Sequence, residues 1–348
     1  MKKIICLFIS YLVLSSCNNQ SENPDISNIP VELSFNRFDI DFFKIDSNNT
    51  KQSLFQLQQK YPDFLPLFIN NVLGLGPLLD TNQLAIEGTN RFLSLNKRIH
   101  DTANLVFGNM AHVKKELTDG FKHLKYYYPD YKIPAIITTI GPMDGLAPMS
   151  NQILTPNYIG NNFIAVSLQF YLGKDFGIYN NPGYASSVAP LYRSRKFSKE
   201  YLTADVFTLV IDDLYPDSSN RLPLIERFIE KGKRLQVLKQ FLTTTADTIL
   251  IGYTKAQLNW CNDNERSIYN FFTQQNLLYE RDLALTQNFT NEGPFTQGMP
   301  ETSPGNIGTY VGWQIVKSYL KKKGIATPQD LMNTSAKRIF ETSAYKPK

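Results

Sequence analysis

The sequence predicts an α+β fold: a small sheet in the middle of the chain and a mostly helical second half. Three observations carry this. Residues 132–140 (KIPAIITTI) and 161–173 (NNFIAVSLQFYLG) are rich in β-branched and aromatic side chains and bounded by Gly, Pro and Asn, so they read as neighbouring strands. Leu222, Ile225, Phe228, Ile229, Leu235, Leu238 and Phe241 form one apolar stripe at helical spacing. Finally, no linker of disordered composition divides residues 29–348, which argues for one domain across that range.

Taken in order, residues 31–43 (VELSFNRFDIDFF) alternate apolar and polar side chains with a phase slip between Phe35 and Phe38, as in a strand running into a turn. Asp39, Asp41 and Asp46 there lack the Gly and Glu of an EF-hand loop, so they are expected as solvated turn carboxylates. From Lys51 to Leu75 apolar residues recur at roughly helical spacing, and Pro62 and Pro66 split the run into a helix pair or a kinked helix. A further helix runs from about Met110 to Tyr127, ahead of Pro129. The segments around Pro142, Gly145, Pro148 and Pro156, and from Gly173 to Pro190, are expected as loops.

In the second half, Thr203 is placed to cap a helix over 204–214, which Pro216 ends. Thr254 and Gln257 make a capping box for a helix through Trp260 and Phe271 to about Gln275. Between Gly293 and Gly312 glycines and prolines are too dense for a helix or a central strand, so a long loop is expected, anchored by Phe295, Met299 and Tyr310. Tyr310–Lys323 is amphipathic and closes at Gly324, and Thr327–Pro328 supplies a cap and a first-position proline for a final short helix.

With 42% hydrophobic and 19% charged residues, the 348-residue chain can build a core. The formal charge is +5, and no Lys/Arg patch is interleaved with aromatics, which argues against nucleic acid as a partner. MKKIICLFISYLVLSSC has a basic start, an eleven-residue apolar run from Ile4 to Leu14, and small residues before Cys17. The run is too short to span a bilayer, which needs about 20 apolar residues. Leu14–Cys17 resembles the lipobox of bacterial lipoproteins, so residues 1–16 are expected as a signal peptide cleaved before an acylated Cys17. An ordinary signal with a Cys17 disulfide is the weaker alternative, since only Cys261 would then remain to pair with it. Residues 17–28 are polar and expected as a tether, leaving 29–348 as the α+β domain. No acidic cluster follows Cys17, which favours a membrane-anchored protein facing the periplasm.

The chemical inventory is sparse. All three histidines lie between residues 100 and 123, and HExxH, paired CxxC, GxSxG, GxGxxG and GxxxxGK[ST] are missing. Zinc-peptidase, serine-hydrolase and nucleotide-binding classes are therefore unsupported, and no cofactor or metal is expected. His112 and His123, eleven residues apart, would lie about 16 Å apart along a helix and are expected as partly exposed. Cys261, beside Trp260, reads as a buried inert thiol. In PLIERFIEKGKRL (223–235), Glu230 stands two residues before Gly232 on a helix that follows another. In some zinc peptidases the first such helix carries HExxH and a Glu on the second completes the site. Here the first helix reads ADVFTLVIDDL, without histidine, so Glu230 and Gly232 mark only a degenerate peptidase-like position.

After the lipobox, six blocks follow in order: FNRFDIDFF (35–43), YYYPDYKIP (126–134), SLQFYLGKD (167–175), IERFIEKGK (225–233), IGYTKAQLNWCNDNE (251–265) and GPFTQGMPETSPGNIGTYVGWQIVKSYLKK (293–322). Together they resemble the gliding-motility lipoprotein GldB family of Bacteroidota. The resemblance implies a non-catalytic envelope lipoprotein required for gliding, with other gliding-motility or type IX secretion proteins as partners. It also implies a fold distantly similar to zincin-like peptidase domains, without their metal ligands. On that reading the 293–312 loop closes the crevice where a peptidase would hold substrate, and Thr296, Gln297 and Met299 offer a surface to a partner. Replacing Thr296 and Gln297 by Ala is then expected to leave the melting temperature unchanged. Two other readings remain open: a glycan-binding lipoprotein using Tyr126–Tyr128 and the Tyr171–Tyr192 loop, and a zinc-independent hydrolase using Glu226, Glu230 or Asp212.

Overall fold

The computed structural model describes residues 23–79, 83–149, 154–324 and 326–348; the expected signal peptide and Cys17 lie outside the described residues. The chain enters through β1 (Phe35–Asn36), α1 (Phe38–Phe42), α2 (Thr50–Lys60) and α3 (Phe64–Leu67), which continues into a π-turn over Phe68–Val72. Two longer helices follow, α4 (Gln83–Phe107) and α5 (Ala111–Tyr127). Next come β2 (Ala135–Thr139), β3 (Ala147–Pro148), β4 (Leu154–Thr155), β5 (Asn157–Ile159) and β6 (Phe163–Ser167). The remainder is helical: α6 (Pro182–Ser187), α7 (Leu191–Ser194), α8 (Lys199–Leu214), α9 (Leu224–Phe241), α10 (Asp247–Ile251), α11 (Lys255–Asp263), α12 (Glu265–Gln274), α13 (Leu283–Thr290), α14 (Ile307–Lys323), α15 (Pro328–Asn333) and α16 (Ala336–Ser343).

The two predicted strands are neighbours: β2 and β6 pair in parallel, from Ala135 opposite Phe163 to Thr139 opposite Ser167. The four-stranded order is β1-β2-β6-β5, with β1 parallel to β2 and β5 antiparallel to β6 at the edge. Side chains alternate across the sheet into two cores. Ile136, Ile164 and Val166 enter the larger core with α5, α8, α9 and α14, whereas Ile137, Phe163 and Ala165 enter the smaller one with α1, α2 and α3. Burial on both faces explains why these strands read as unbroken apolar runs. Helix occupies 57% of the chain and strand 7%, so the sheet is a partition between helical layers. In the smaller core Phe38 meets Phe42, Tyr61, Phe64 and Phe68 at centroid separations of 4.8–5.2 Å.

Several elements depart from the sequence expectation. Asp39 is buried: β1 ends one residue before α1, and this tight exit turns the carboxylate toward β2. There it accepts from Arg37 (Nη2 to Oδ2, 2.7 Å) and from the Thr138 hydroxyl. Asp41 is half-buried and accepts from the Tyr61 hydroxyl at 2.6 Å. His123 is buried, its Nδ1 2.9 Å from the Asp119 carbonyl, while His112 is exposed. Helix α8 starts at Lys199, so Thr203 is an interior residue whose hydroxyl donates to Glu116 (3.1 Å). The Thr254 and Thr327 capping boxes both form. The helix after Thr254 breaks at Asn264, whose Nδ2 donates to the Trp260 carbonyl at 2.8 Å.

The expected loop ends at Asn306, and Gly308 and Gly312 lie inside α14. Their role is contact. A Cβ on Gly312 would stand 1.6 Å from the Phe228 carbonyl oxygen, and one on Gly232 would stand 2.3 Å from the Gly312 carbonyl carbon. Helices α9 and α14 therefore touch backbone to backbone, and this packing outweighs the roughly 1 kcal/mol that an interior glycine costs. Replacing Gly312 by Ala should destabilise the protein by about 3 kcal/mol or more, because backbone cannot yield as a side chain does. Gly177, with nothing within 4 Å of its Cβ position, should tolerate Ala within about 0.5 kcal/mol. Denaturant unfolding of both variants checks the pair.

Candidate functional site

A cleft of about 220 Å³ opens between α8, the β3–β4 ribbon and the chain around α10. Leu146, Met149, Phe197, Ile249 and Ile251 make its walls apolar; Arg193, Lys196, Asp205, Glu292 and Asn306 supply the polar groups. Larger cavities exist, one of about 560 Å³ beside His112, Glu116 and Glu200, but here two carboxyls facing one cleft are displaced strongly and in opposite directions. Perturbed titratable groups in a cleft are the physical mark of a candidate site.

Helix α8 buries Leu202, Val206 and Leu209, and Asp205 stands on the same stripe, so the fold carries a carboxylate to the cleft floor. Its Oδ2 accepts from the Tyr171 hydroxyl (2.9 Å), whose oxygen accepts from Asn157 Nδ2 (2.8 Å); Asn157 Oδ1 accepts from the Ser167 N–H (3.2 Å). This chain ties β5, β6 and α8 together and orients the acid. Burial pushes the Asp205 carboxyl up to about 6, against the opposing pull of Lys196 and the Tyr171 hydroxyl. Opposite it, Glu292 accepts from Arg193 Nε at 3.0 Å and from Lys196. Burial alone would raise the Glu292 carboxyl, but Lys196 and Arg193 outweigh it and hold it at about 2. One wall thus holds a closed ion triad and the floor holds an acid with a single neutral donor.

The expected site residues lie elsewhere. Glu230 accepts from Lys233 (2.9 Å), which also donates to the Thr334 carbonyl (3.0 Å); both face a separate cavity. Gly232 sits at the α9–α14 crossing. Neither lines the Asp205 cleft, so the peptidase-like position read from 223–235 does not lie on it. Thr296 is buried: its N–H donates to Ser303 Oγ (3.1 Å) and its hydroxyl to the Pro304 carbonyl (2.6 Å). It closes the loop on itself and offers nothing to a partner. Gln297 is exposed and accepts from Asn288 (2.7 Å), while Met299 is half-buried against the larger core. The loop does border the cleft through Glu292 and Asn306, whose carbonyl accepts from the Tyr253 hydroxyl (2.9 Å).

Asp212, on the far part of α8, faces Arg234 at 3.7 Å and Glu226 is half-buried on α9; neither lines the cleft. The tyrosines are mostly packing: Tyr171 and Tyr179 are fully buried, Tyr184 donates to the Met143 carbonyl (2.9 Å), and Tyr127 and Tyr128 pack on Phe241, leaving Tyr126 exposed. Cys261 is buried, and burial raises its thiol far above the usual range. Among the described residues no three His, Cys, Asp or Glu side chains gather to hold a metal ion. Asp205 was readable in sequence as a carboxylate on an apolar helical stripe. Glu292 was not, since its partners lie 96 and 99 residues away.

A family model described as gliding motility protein GldB matches residues 19–347 of the chain. No curated protein and no solved structure matches it.

The folded chain keeps the Asp205 proton up to about pH 6, while the unfolded chain releases it near 3.8. Stability therefore falls as pH rises through that window and stays lower above it. Asp205→Asn should stabilise the protein at pH 7.5 by about 1–3 kcal/mol, with the gain largely gone below pH 4; thermal melts across that range read it. Thr296→Ala should cost about 1–2 kcal/mol by leaving the Pro304 carbonyl without its donor, whereas Gln297→Ala should be near neutral. Separate melts of the two single variants decide this.

Proposed function

The chain belongs to the gliding motility protein GldB family, and from that premise we propose that it is a membrane-anchored, non-catalytic component of the cell envelope, held by an acylated Cys17 and assembled with the gliding and type IX secretion apparatus. The family match over residues 19–347 carries the reading; this is a gliding-motility family and not a known enzyme family. Among the described residues no helix is long and apolar enough to cross a membrane. In this reading the acyl chains supply the attachment, each buried CH₂ contributing about 0.8 kcal/mol, and the domain faces the periplasm.

The cleft supports a binding role over a catalytic one. Its described lining holds no His, Cys or Ser, Glu292 is neutralised by two cations, and Tyr171 is committed to Asn157 and Asp205. We also read the architecture as a metal-free relative of zincin-like peptidases. Ala204, Asp205 and Thr208 face the cleft from one helix at the i, i+1, i+4 spacing that His-Glu-x-x-His uses to bind zinc and place its general base. Only the acid at the middle position is kept. The exposed Gln297 and Phe295 of the bordering loop are the surface we assign to a partner.

Expressed in place of the wild-type gene, Cys17→Ala should leave an unprocessed precursor that takes up no alkyne fatty acid, and colony spreading should be lost. Asp205→Asn, which removes the ionisable group and keeps its shape, should be acylated and should glide. Loss of gliding by Asp205→Asn at normal protein level would favour a zinc-independent hydrolase and overturn the non-catalytic reading.

A further inference from the structure

We propose that the C-terminal face of the domain docks on an anionic phospholipid surface. Residues 317–348 carry eight Lys and Arg side chains against two carboxylates, a net of +6, whereas the whole chain sums to +5. All of the excess positive charge therefore sits at this end. Lys321, Lys322 and Lys323 are exposed in the last turn of α14, and Lys337 and Arg338 are exposed in the first turn of α16. The Ser318 hydroxyl donates to the Ser343 carbonyl (3.2 Å), which brings the end of α14 beside the segment leading to the exposed Lys346 and Lys348.

These charges lack the partners found elsewhere on the surface. Lys60 meets Asp41, Lys97 meets Asp101, Lys115 meets Asp119 and Lys239 meets Asp247. By contrast, none of the exposed cations on the C-terminal face has an ion-pair partner among the described residues. Asp330 is taken up by the Thr327 capping box, so Glu341 is the one acidic side chain left to answer them. Helix stability explains only part of the arrangement. Lysines at the end of α14 suit the helix dipole, but Lys337 and Arg338 stand at the start of α16, where a positive charge opposes it.

The face also lacks what a protein partner would use. Among the described residues no large apolar side chain after Phe295 is exposed; Leu331 and Ile339 are buried and the Tyr345 hydroxyl donates to Glu265 (2.7 Å). A surface read by charge alone fits a diffuse array of anionic headgroups better than a protein epitope with its apolar centre. Because this inference rests on the acylated Cys17, docking is an intramolecular step: the anchor holds the chain at the bilayer and the basic face sets its orientation.

The test uses the mature acylated protein reconstituted into vesicles and labelled with a fluorophore at Glu341→Cys, which lies on the same helical face as Lys337 and Arg338. Energy transfer to a headgroup acceptor should be strong in phosphatidylglycerol–phosphatidylcholine vesicles at 0.1 M salt. It should fall to the pure phosphatidylcholine level in 1 M salt, where the Debye length shrinks from about 10 to about 3 Å. Substituting Lys321, Lys322 and Lys323 together by Gln should weaken the docking equilibrium roughly a hundredfold, about fivefold per lysine, without releasing the protein in a flotation assay. Loss of flotation by the acylated protein would count against the anchor, not the face. Equal transfer in phosphatidylcholine vesicles, or transfer that survives loss of the three lysines, would overturn the docking. So would an absence of transfer in anionic vesicles while the same face captures an acidic protein.

Discussion

The backbone contact between α9 and α14 is the constraint on which the rest of the fold depends. Gly232 and Gly312 let the two helices meet without intervening side chains, and Gly308 lies so close over the Phe228 ring that a Cβ there would stand 2.2 Å from it. Two helices at such a separation become in effect one thick element, with Trp313 locked to Gln236 by a 2.9 Å hydrogen bond. Helices α5 and α8 pack on α9, and α13 and α16 pack on α14, so the larger core is arranged around this pair. The cleft inherits its shape from it. Asn306 caps α14 on one side, α8 forms the floor, and Glu292 follows α13 directly.

Three carboxylates, Asp39 buried and Glu292 and Asp205 half-buried, show how differently one fold can treat the same chemical group. Asp39 meets a guanidinium and a hydroxyl, and its ties to Arg37 and Thr138 pin β1 and α1 onto β2. Glu292 meets two cations and stays ionised far into the acid range. Asp205 has one neutral hydroxyl, so desolvation wins and its proton is held to about pH 6. Near neutral pH this last group works against folding, while the other two are compensated. Two carboxyls displaced in opposite directions across one cleft are what single out the Asp205 site from the larger cavity beside His112.

Legibility in the sequence followed how local each signal was. The β2 and β6 runs, the Thr254 capping box, the Thr327 cap and the α9 stripe each depend on residues within a few positions of one another, and all are present. The longest helix, α4, was not read from the sequence: Ala85, Thr89 and Ala103 interrupt the buried face that Ile99 and Phe107 share, while Leu84, Leu95 and Leu105 face solvent. Leucines on the outer face blur the contrast that hydrophobic periodicity relies on. Glycine misled in the same way. At 308 and 312 it reads as a breaker, yet tertiary packing turns it into the residue that permits the closest contact in the core. Asp39 and Thr296 were read as exposed because polar residues usually are; partners 99 and 8 residues away buried them.

The state of the cleft's charges decides what its residues can do. A general base needs a partner to receive from and a route to pass the proton on, with an activated nucleophile or metal-bound water nearby. Asp205 has a fixed Tyr171 on one side and an ion triad across the cleft, and the flanking positions on α8 are Ala204, which carries no ligand atom, and Thr208, whose hydroxyl donates to the Ala204 carbonyl. Such an arrangement holds its shape without substrate, because Arg193 and Lys196 are already engaged by Glu292 and Tyr171 by Asp205. It is a preformed, partly apolar pocket. The positive charge that could draw the molecule to an anionic surface lies instead on the C-terminal helices. Shape and charge are thus divided between two regions of the fold, the cleft beside α8 and the basic C-terminal helices.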